Sequence, residues 1–399
     1  MSMKDRWSTI EELLDNFAHK LFGGRRGREG ESAISSLAVG CERLISLVGT
    51  SENRLCKTKD ATGITKGTSE EPLVNIEGIG TSFPRGLNCK ENTVTDKKEF
   101  SRSIGRAISQ ARRMADRKGY TPKGVSLYLS VCGSVTSPER AVGLRDDLPP
   151  FTSVIEENQY YTSRLMDSAL AEEIVQPVTS LGADVEEVVF EPFATGKALL
   201  TEEEKIEGVV LVDIGKAFTD VALYKDGHIA CASSIPHAGR DISEALMKSF
   251  GLEFYEAEVI KGAITTLDPI ENEGGNKPLI RGENAILEAN DIAPKKVVEI
   301  VRAEISAIFD SVFLDLDERG LDQCSKMVLS GNSSLLKGIE SFVGDHYGFL
   351  ARRGDKLPCF SGLGKLLEEP QYHSSLGLLK YGLESDKVRK NGPENRTSR

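Results

Sequence analysis

The stretch of sequence that decides the fold is VVLVDIGKAFTDVALYKDGHIA, residues 209–230. Four apolar residues, 209–212, lead into Asp213, and a second run rich in apolar residues follows at 221–224. Two apolar runs joined by a polar turn predict a β-hairpin with one buried face. The carboxylate of Asp213 is expected at the end of the first strand, facing the turn.

The turn of this hairpin departs from what a phosphate-binding hairpin needs. Such turns are rich in glycine, because only bare backbone lets several N–H groups come within hydrogen-bond distance of a phosphate. In this chain Gly215 is followed by Lys216, Ala217 and Phe218. The hairpin therefore keeps the scaffold of a phosphate site while side chains crowd the place of the phosphate.

The hairpin resembles the second phosphate hairpin of the actin and sugar-kinase superfamily. Its flanks, EPFATGKALLTEEEK and SSIPHAGRDISEAL, are similar to those of the bacterial cell-division family FtsA. The segments GIGTSFPRGLNCKENTVTDKKEFSRSIGRAISQARRMA and MVLSGNSSLLKGIESFVGDHYG also resemble that family, and the motifs span most of residues 74–383. The resemblance implies an α/β protein with a two-lobed actin-like ATPase fold and a small FtsA-type inserted subdomain.

Pattern and resemblance together predict the domain organisation. Helices are expected over residues 99–117 and 163–175, and a strand over 125–131. The predicted units are an amphipathic N-terminal helix with a basic linker (1–30), a first actin-like lobe (31–132) with a surface loop at 51–72, a shortened FtsA-type insert (133–185), a second lobe (186–240 and 322–383), an inserted partner-binding lobe (241–321) and a disordered tail (384–399).

Composition limits the possible partners and compartments. A formal net charge of -11 argues against nucleic acid as a main partner, because phosphate backbones require a clustered positive field. The seven cysteines are scattered, which predicts neither a zinc site nor a disulfide framework and favours a reducing compartment. The chain has no long apolar run and no signal peptide, so we expect a cytoplasmic protein, at the cytoplasmic face of the inner membrane if its N-terminus binds lipid.

The N-terminus carries the candidate membrane contact. An apolar stripe at helical spacing is followed by a basic cluster, which together predict an interfacial helix on anionic lipid. The residues are Trp7, Ile10, Leu14, Phe17, Leu21, Arg25, Arg26 and Arg28. The alternative is that the stripe docks on a partner or on the protein itself. FtsA proteins carry a membrane helix at the other end, so an anchor here would have moved.

The resemblance also implies a set of nucleotide-binding residues. These are Asp213, Gly215, Thr219, Asp220, Glu258, Lys261 and Gly331. The pair Glu258 and Lys261 matches family positions near the ribose, although an i, i+3 ion pair is also an ordinary helix stabiliser.

Other positions depart from the family pattern. Ala38 replaces the aspartate of the first phosphate hairpin, Glu42 and Arg43 stand where small hydroxyl residues are usual, and Asn332 and Ser333 replace glycines. The resemblance implies ATP and magnesium as cofactors, whereas these replacements predict impaired hydrolysis and a degenerate site with no assigned catalytic residue.

Partner recognition is predicted from the segment 241–321. In FtsA this lobe receives the C-terminal peptide of the tubulin homologue FtsZ, and Arg302 stands where the family has a basic residue that contacts the acidic tail. Alternatively, Arg302 pairs with Glu299 on the same helix face. Other implied partners are inner-membrane division proteins, a peripheral membrane surface and further copies of the chain.

These expectations lead to one functional interpretation and two alternatives. The interpretation is an FtsA-like protein of the division septum that links an FtsZ-type filament to the membrane or the divisome, with weak or no ATP hydrolysis. The alternatives are an active ATP-binding actin-like filament protein and a pilus-assembly actin-like scaffold that binds a membrane-protein peptide.

Overall fold

The structure is a computed structural model. It describes residues 33–59, 65–89, 91, 93–120, 127–131, 156–159, 168–267, 285–317, 324–354, 359–362 and 368–391. The predicted N-terminal helix and basic linker, with Trp7, Ile10, Leu14, Phe17, Leu21, Arg25, Arg26 and Arg28, lie outside the described residues. Most of the predicted insert at 133–185 and the last residues of the predicted tail, 392–399, also lie outside them.

The first of two large sheets has six strands. They are β1 (Ile34–Val39), β2 (Leu44–Lys59), β3 (Thr65–Ser82), β6 (Leu127–Val131), β7 (Val185–Phe190) and β13 (Phe360–Ser361), in the order β13-β3-β2-β1-β6-β7. Strands β1, β2 and β3 pair antiparallel, whereas β6 runs parallel to β1 and β7 parallel to β6. A separate ribbon pairs β4 (Leu87–Asn88) with β5 (Thr93–Val94).

A long helix packs closely against this sheet. Helix α1 (Lys97–Arg117) begins after Asp96, whose carboxylate accepts hydrogen bonds from two first-turn amides and caps the helix. Gly78 and Gly80 on β3 face the backbone of α1 so closely that a Cβ at either position would collide with the carbonyl oxygen of Ala111 or Ala107. Glycine at these positions therefore allows the helix to lie directly on the strand.

The second sheet contains the predicted hairpin. Its five strands are β8 (Val209–Ile214), β9 (Thr219–Lys225), β10 (His228–Ile235), β11 (Lys326–Ser330) and β12 (Leu350–Arg353), in the order β10-β9-β8-β11-β12. Strands β8 and β9 pair antiparallel with Asp213 opposite Asp220, and β11 runs parallel to β8. The prediction of a strand, turn and strand at residues 209–225 is confirmed.

The remaining helices divide between two hydrophobic clusters. They are α2 (Ser168–Thr179), α3 (Glu191–Leu199), α4 (Glu202–Glu207), α5 (Gly239–Phe250), α6 (Phe254–Ala263), α7 (Ala285–Ala289), α8 (Pro294–Asp317), α9 (Ile339–Tyr347) and α10 (His373–Asn391). Buried residues of α1, α3 and α10 share a cluster with the first sheet, and residues of the second sheet such as Leu211, Ala222 and Tyr224 also belong to it. Buried residues of α5, α6, α8 and α9 share a cluster with the other face of the second sheet. Each sheet with its helices is called a lobe below. Within the described residues, no helix is long and apolar enough to cross a bilayer.

The prediction of a surface loop at 51–72 is wrong for the part that the structure describes. Strands β2 and β3 continue there as an antiparallel hairpin, with Lys57 opposite Thr68 and Thr58 opposite Gly67. A polar segment forms strands when its backbone N–H and C=O groups pair across the ladder, which needs no apolar face. The polarity of this stretch was therefore no guide to its backbone structure.

The prediction of a disordered tail from residue 384 is also wrong for residues 384–391, which extend α10. Polar contacts hold this end of the helix in place of an apolar stripe. The ammonium of Lys197 lies 3.0 Å from the carboxylate of Glu384, and the guanidinium of Arg389 pairs with Glu186 and Glu187. A search for an apolar stripe misses a helix that is fixed in this way.

The predicted lobe boundaries need correction as well. Strand β7 was expected in the second lobe but pairs with β6 in the first sheet, and α10 returns to pack on α3 and β1 of the first lobe. The predicted inserted lobe at 241–321 has no separate core among its described residues, because α5, α6 and α8 share the hydrophobic cluster of the second sheet. Sequence order alone does not reveal which sheet a returning element joins.

Candidate functional site

A cavity of about 360 Å³ opens between the two lobes. Two turns face it, the first turn at residues 40–43 between β1 and β2, and the second turn at residues 215–218 between β8 and β9. The start of α5, the end of α6, the segment after β11 and the start of α10 complete the walls. The loops at strand ends thus build the site, as is usual for α/β proteins.

Most of the predicted nucleotide-binding residues come together at this cavity. Those that line it are Asp213, Gly215, Asp220, Glu258, Lys261 and Gly331. Thr219 is the exception, because it is fully buried and its hydroxyl donates to the carbonyl of His237 at 2.7 Å. Its described contact connects the hairpin to the segment before α5.

The second turn is fixed to the start of α5 by backbone hydrogen bonds. The N–H of Gly215 donates to the carbonyl of Phe218 at 3.0 Å and closes the turn. The carbonyls of Gly215 and Lys216 accept from the N–H groups of Gly239 at 3.1 Å and Arg240 at 2.8 Å. The turn is thus held in one conformation by the protein itself.

Two facing carboxylates lie at the base of the site. Burial and the charge of the facing Asp220 raise the pKa of Asp213 to about 7, against the opposing effect of a hydrogen bond with the Ser330 hydroxyl. Asp220 accepts a hydrogen bond from the hydroxyl of Ser234. The Oγ of Ser330 also lies 3.0 Å from Nδ1 of His373 at the start of α10. A polar chain therefore connects the Asp213 carboxylate of the second lobe to an imidazole of the first.

An ion pair crosses the opening between the two turns. The ammonium of Lys216 in the second turn lies 3.4 Å from the carboxylate of Glu42 in the first turn. The same ammonium lies 5.0 Å from the centroid of the Phe254 ring at the start of α6. On β1 the buried Ala38 offers no carboxylate. The first turn therefore faces the second with a carboxylate at residue 42.

The predicted ribose-side pair is tied into the second lobe. The ammonium of Lys261 lies 2.5 Å from Glu258 and donates to the carbonyl of Gly239 at 2.9 Å and the hydroxyl of Ser243 at 2.8 Å. That hydroxyl in turn donates to Glu258. The ion pair expected from helical spacing is thus present, and it lies on the wall of the cavity. The helix-stabilising ion pair is therefore observed, whereas the role near the ribose stays a prediction.

The backbone conformation and close packing at position 331 require glycine whether or not a ligand binds. Its φ of 76° is in the region that favours glycine. A Cβ there would collide with the carbonyl of Ile214 and with the carboxylate of Asp213. Gly331 therefore lets the segment after β11 lie against the end of β8.

Comparison with known proteins finds sequences similar to this chain. The family model described as "Cell division protein FtsA" matches residues 210–377, which include the second turn and Gly331. FtsA of Escherichia coli (strain K12) is 25% identical over 370 residues, covering 78% of this chain and 85% of the relative. FtsA of Pseudomonas aeruginosa PAO1 is 24% identical over 387 residues, covering 88% and 89%. The chain is similar in sequence to FtsA proteins over more than three quarters of its length.

Solved structures confirm the expected actin-like fold of this FtsA-like chain. MreB5 of Spiroplasma citri bound to ADP superposes with a TM-score of 0.54 at 15% identity, covering 90% of this chain and 99% of that one. A chain of the PilM-PilN type IV pilus biogenesis complex superposes with a TM-score of 0.55 at 14% identity, covering 88% and 98%. At these identities the likeness concerns the fold alone.

The carboxylates of the FtsA-like chain fit a magnesium ion poorly. Magnesium is held in nucleotide sites by ionised carboxylates together with phosphate oxygens and water. Residue 38 has no carboxylate, burial and the facing Asp220 raise the pKa of Asp213, and Asp220 accepts a hydrogen bond from Ser234. Within the described part of the chain, no cluster of three or more His, Cys, Asp or Glu residues is arranged to hold a metal ion.

Several lining residues were missed by the sequence analysis. They are Cys41, Glu191, Gln371 and Ser374. Glu191 was visible in the motif EPFATGKALLTEEEK, but only as a flank of the hairpin. Gln371 and Ser374 carry no local signal, because they reach the cavity only where α10 folds back onto the first lobe.

The predicted partner residue Arg302 lies on α8, away from the residues that line the cavity. Its guanidinium donates to the carbonyl of Leu267, lies 2.8 Å from Nε2 of His346 and stands 5.0 Å from the centroid of the Phe342 ring. Among the described residues its contacts are therefore with α9 and residue 267 in place of the expected Glu299. The side chain is half-buried and presents part of its charge at the surface.

Proposed function

We propose that this chain links an FtsZ-type filament to the cytoplasmic membrane or to other division proteins, with weak or no ATP hydrolysis. The FtsA relatives support a role in cell division. The observation that supports weak hydrolysis in this proposal is the ion pair between Lys216 and Glu42, which spans the two turns at the opening of the cavity. A site without placed metal and water does not support rapid phosphoryl transfer.

Recognition of the filament is proposed at Arg302 by charge complementarity. A guanidinium held by a ring face and a carbonyl is oriented before binding, which lowers the cost of engaging an acidic peptide. In this proposal the partner is the acidic C-terminal peptide of an FtsZ-type tubulin homologue. Self-association and contacts with inner-membrane division proteins are further proposed partners.

Membrane attachment is proposed through the N-terminal stripe with Trp7 and Phe17 and the arginines that follow it. An apolar stripe and neighbouring basic residues support binding at an anionic interface, on the cytoplasmic side in this proposal. Co-sedimentation of the full chain with phosphatidylglycerol vesicles tests this step. We expect a chain with Trp7→Ser and Phe17→Ser to stay in the supernatant.

The peptide step is tested by fluorescence anisotropy with a labelled FtsZ C-terminal peptide and the full chain. We expect Arg302→Glu to abolish binding, whereas Lys295→Glu, an equal charge change at an exposed position of the same helix, should leave it nearly unchanged. Equal loss in both variants would reduce the effect to net charge.

Magnesium-dependent ATP turnover on the order of 1 per second or faster would refute the proposed weak hydrolysis and favour an active filament protein.

A second candidate is a pilus-assembly scaffold that binds a membrane-protein peptide between the lobes. The similarity of fold to a chain of the PilM-PilN complex supports this second candidate. Binding of a peptide from a PilN-type protein together with no response to the FtsZ peptide would support this candidate over the division adaptor.

A further inference from the structure

Two cysteines that are far apart in the sequence come into contact at the first turn. Cys41 belongs to that turn, and Cys89 follows β4, 48 positions later. The thiol of Cys89 donates to the carbonyl of Cys41 at 2.9 Å, and the two side chains also share a hydrogen bond. Both residues are half-buried, and Cys41 lines the cavity, so the pair lies at a surface that is open to small solutes.

The surroundings of Cys89 favour its thiolate, which is the reactive form of cysteine. The hydrogen bond with the Cys41 side chain and the positive charges of Lys216 and Arg240 lower the pKa of Cys89, against the opposing effects of burial and of Glu42. Lys216 lies in the second turn and Arg240 in the first turn of α5, so the second lobe supplies both cations. An accessible thiol of this kind beside another thiol is the arrangement found in cysteines that react with oxidants.

The other cysteines whose side chains the structure describes have different surroundings. Cys231 and Cys359 are buried. Cys324 is half-buried, but burial raises the pKa of its thiol. Buried or protonated thiols react slowly. Among the described thiols we therefore expect Cys89 to react first with an oxidant.

We propose that Cys41 and Cys89 form a reversible intramolecular disulfide when the chain meets a peroxide, with Cys89 as the attacking thiolate and Cys41 as the resolving thiol. Disulfides of this transient kind are the ones expected in a reducing compartment. Both residues lie outside the regular strands, where the backbone can adjust to bring the two Cα atoms within the distance of about 7 Å that a disulfide requires. The bond fastens the first turn to the segment that follows β4.

The chemistry balances in two steps. The thiolate of Cys89 attacks one oxygen of the peroxide, the O–O bond breaks, and the leaving hydroxide takes up a proton to become water. The Cys41 thiol then attacks the sulfur of the resulting sulfenic acid, the S–O bond breaks, and a second water leaves with the proton of the thiol. Two thiols are oxidised to one disulfide, and one hydrogen peroxide is reduced to two waters.

Peptide mapping of the full chain after treatment with hydrogen peroxide tests the proposal. Free thiols are blocked with N-ethylmaleimide, the chain is digested with trypsin without reduction, and the peptides are identified by mass spectrometry. We expect residues 29–43 linked to residues 86–90, from protein that runs as a single chain on a denaturing, non-reducing gel. Dithiothreitol should separate the two peptides and restore both thiols. Cys41→Ser should lose the link and accumulate a sulfenic acid at Cys89, which dimedone traps.

Cys324→Ser is the matched control, because it removes a half-buried thiol of the second lobe. It should leave the yield of the linked peptides unchanged. In the reduced chain, iodoacetamide should alkylate Cys89 faster than Cys324, and Lys216→Met should slow the reaction of Cys89. Lys337→Met removes the same charge at an exposed position and should not slow it. Circular dichroism of each variant establishes that it is folded.

Three results would overturn the proposal. One is oxidation of the folded chain without any link between residues 29–43 and 86–90. Another is the same link found only in dimers, because the disulfide would then join two copies of the chain. The third is a mixture of disulfides that is the same whether the chain is oxidised folded or unfolded in urea, because the native contact would then not direct the pairing. The proposal is independent of the adaptor function, since it concerns neither the peptide nor the membrane, and none of these results would affect the tests of that function.

Discussion

Replacing Asp213 by asparagine should change how the stability of the protein depends on pH. Burial and the facing Asp220 raise the pKa of Asp213 from its usual 3.8 to about 7. For an acid whose pKa rises on folding, its favourable contribution to stability is complete below the unfolded pKa and is lost as the pH rises to the folded pKa. The loss should therefore accumulate between about pH 4 and about pH 7 and then level off.

The size of the loss in unfolding free energy follows from the width of the pH range between the unfolded and the folded pKa of Asp213. Each unit within it costs about 1.4 kcal/mol, so the unfolding free energy of the natural chain should fall by about 2–3 kcal/mol relative to Asp213→Asn between pH 5 and pH 8. Asparagine keeps a hydrogen-bonding group beside Ser330 but carries no charge. The difference between the two chains removes the contributions of the shared titrating groups that do not interact with residue 213.

Urea denaturation followed by far-ultraviolet circular dichroism at pH 5, 6, 7 and 8 measures this difference. Asp345→Asn, at an exposed position of α9, is the control and should give a difference that varies little over the same range. A difference between the natural chain and Asp213→Asn that is constant from pH 5 to pH 8 would refute the assigned electrostatics of the facing carboxylates.

Further substitutions test the packing that positions the site. Gly80→Ala should destabilise the protein by about 1–3 kcal/mol in urea denaturation, because its Cβ would collide with the backbone of α1, whereas Gly105→Ala within that helix should be neutral or stabilising by up to about 1 kcal/mol. Phe309→Ala should cost about 3–5 kcal/mol by leaving a cavity in the core of the second lobe, and a loss below about 1 kcal/mol would place this ring outside the core. Deleting the chain after Leu383 should lower the midpoint of thermal unfolding, because residues 384–391 are part of α10; an unchanged midpoint would support the disordered tail instead.

The parts of the fold that sequence could predict are those in which a local pattern determines the structure. The apolar runs of β8 and β9 alternate with turns, and the face of α1 that contains Phe100, Ile104 and Ala107 repeats at helical spacing and is buried. The far half of the β2–β3 hairpin lacks such a pattern, because its described structure is a backbone ladder between polar segments. The last residues of α10 also lack a local apolar pattern, because charged contacts to β7 and α3 hold this end of the helix.

The candidate site was predictable to the extent that its residues lie in motifs. Asp213, Asp220 and Gly331 belong to segments that resemble a family, and they do line one cavity. The pairing of Lys216 with Glu42 was not predictable, because 174 positions separate them and neither belongs to a pattern that anticipates the other. Each was recognised only as a departure from the family pattern. The fold shows that these two departures lie opposite each other.

This juxtaposition changes what the replacements in the two turns mean. Considered separately, a lysine in the second turn and a glutamate in the first would each be expected to impair phosphate binding. Taken together they form an ion pair between the lobes, and the contact from Ser330 to His373 is another polar contact between them. Both contacts are made by the chain itself and require no metal. Because an ion pair this exposed is weak, it connects the two turns without fixing them, and the buried apolar cluster that residues of both sheets share is what holds the lobes together.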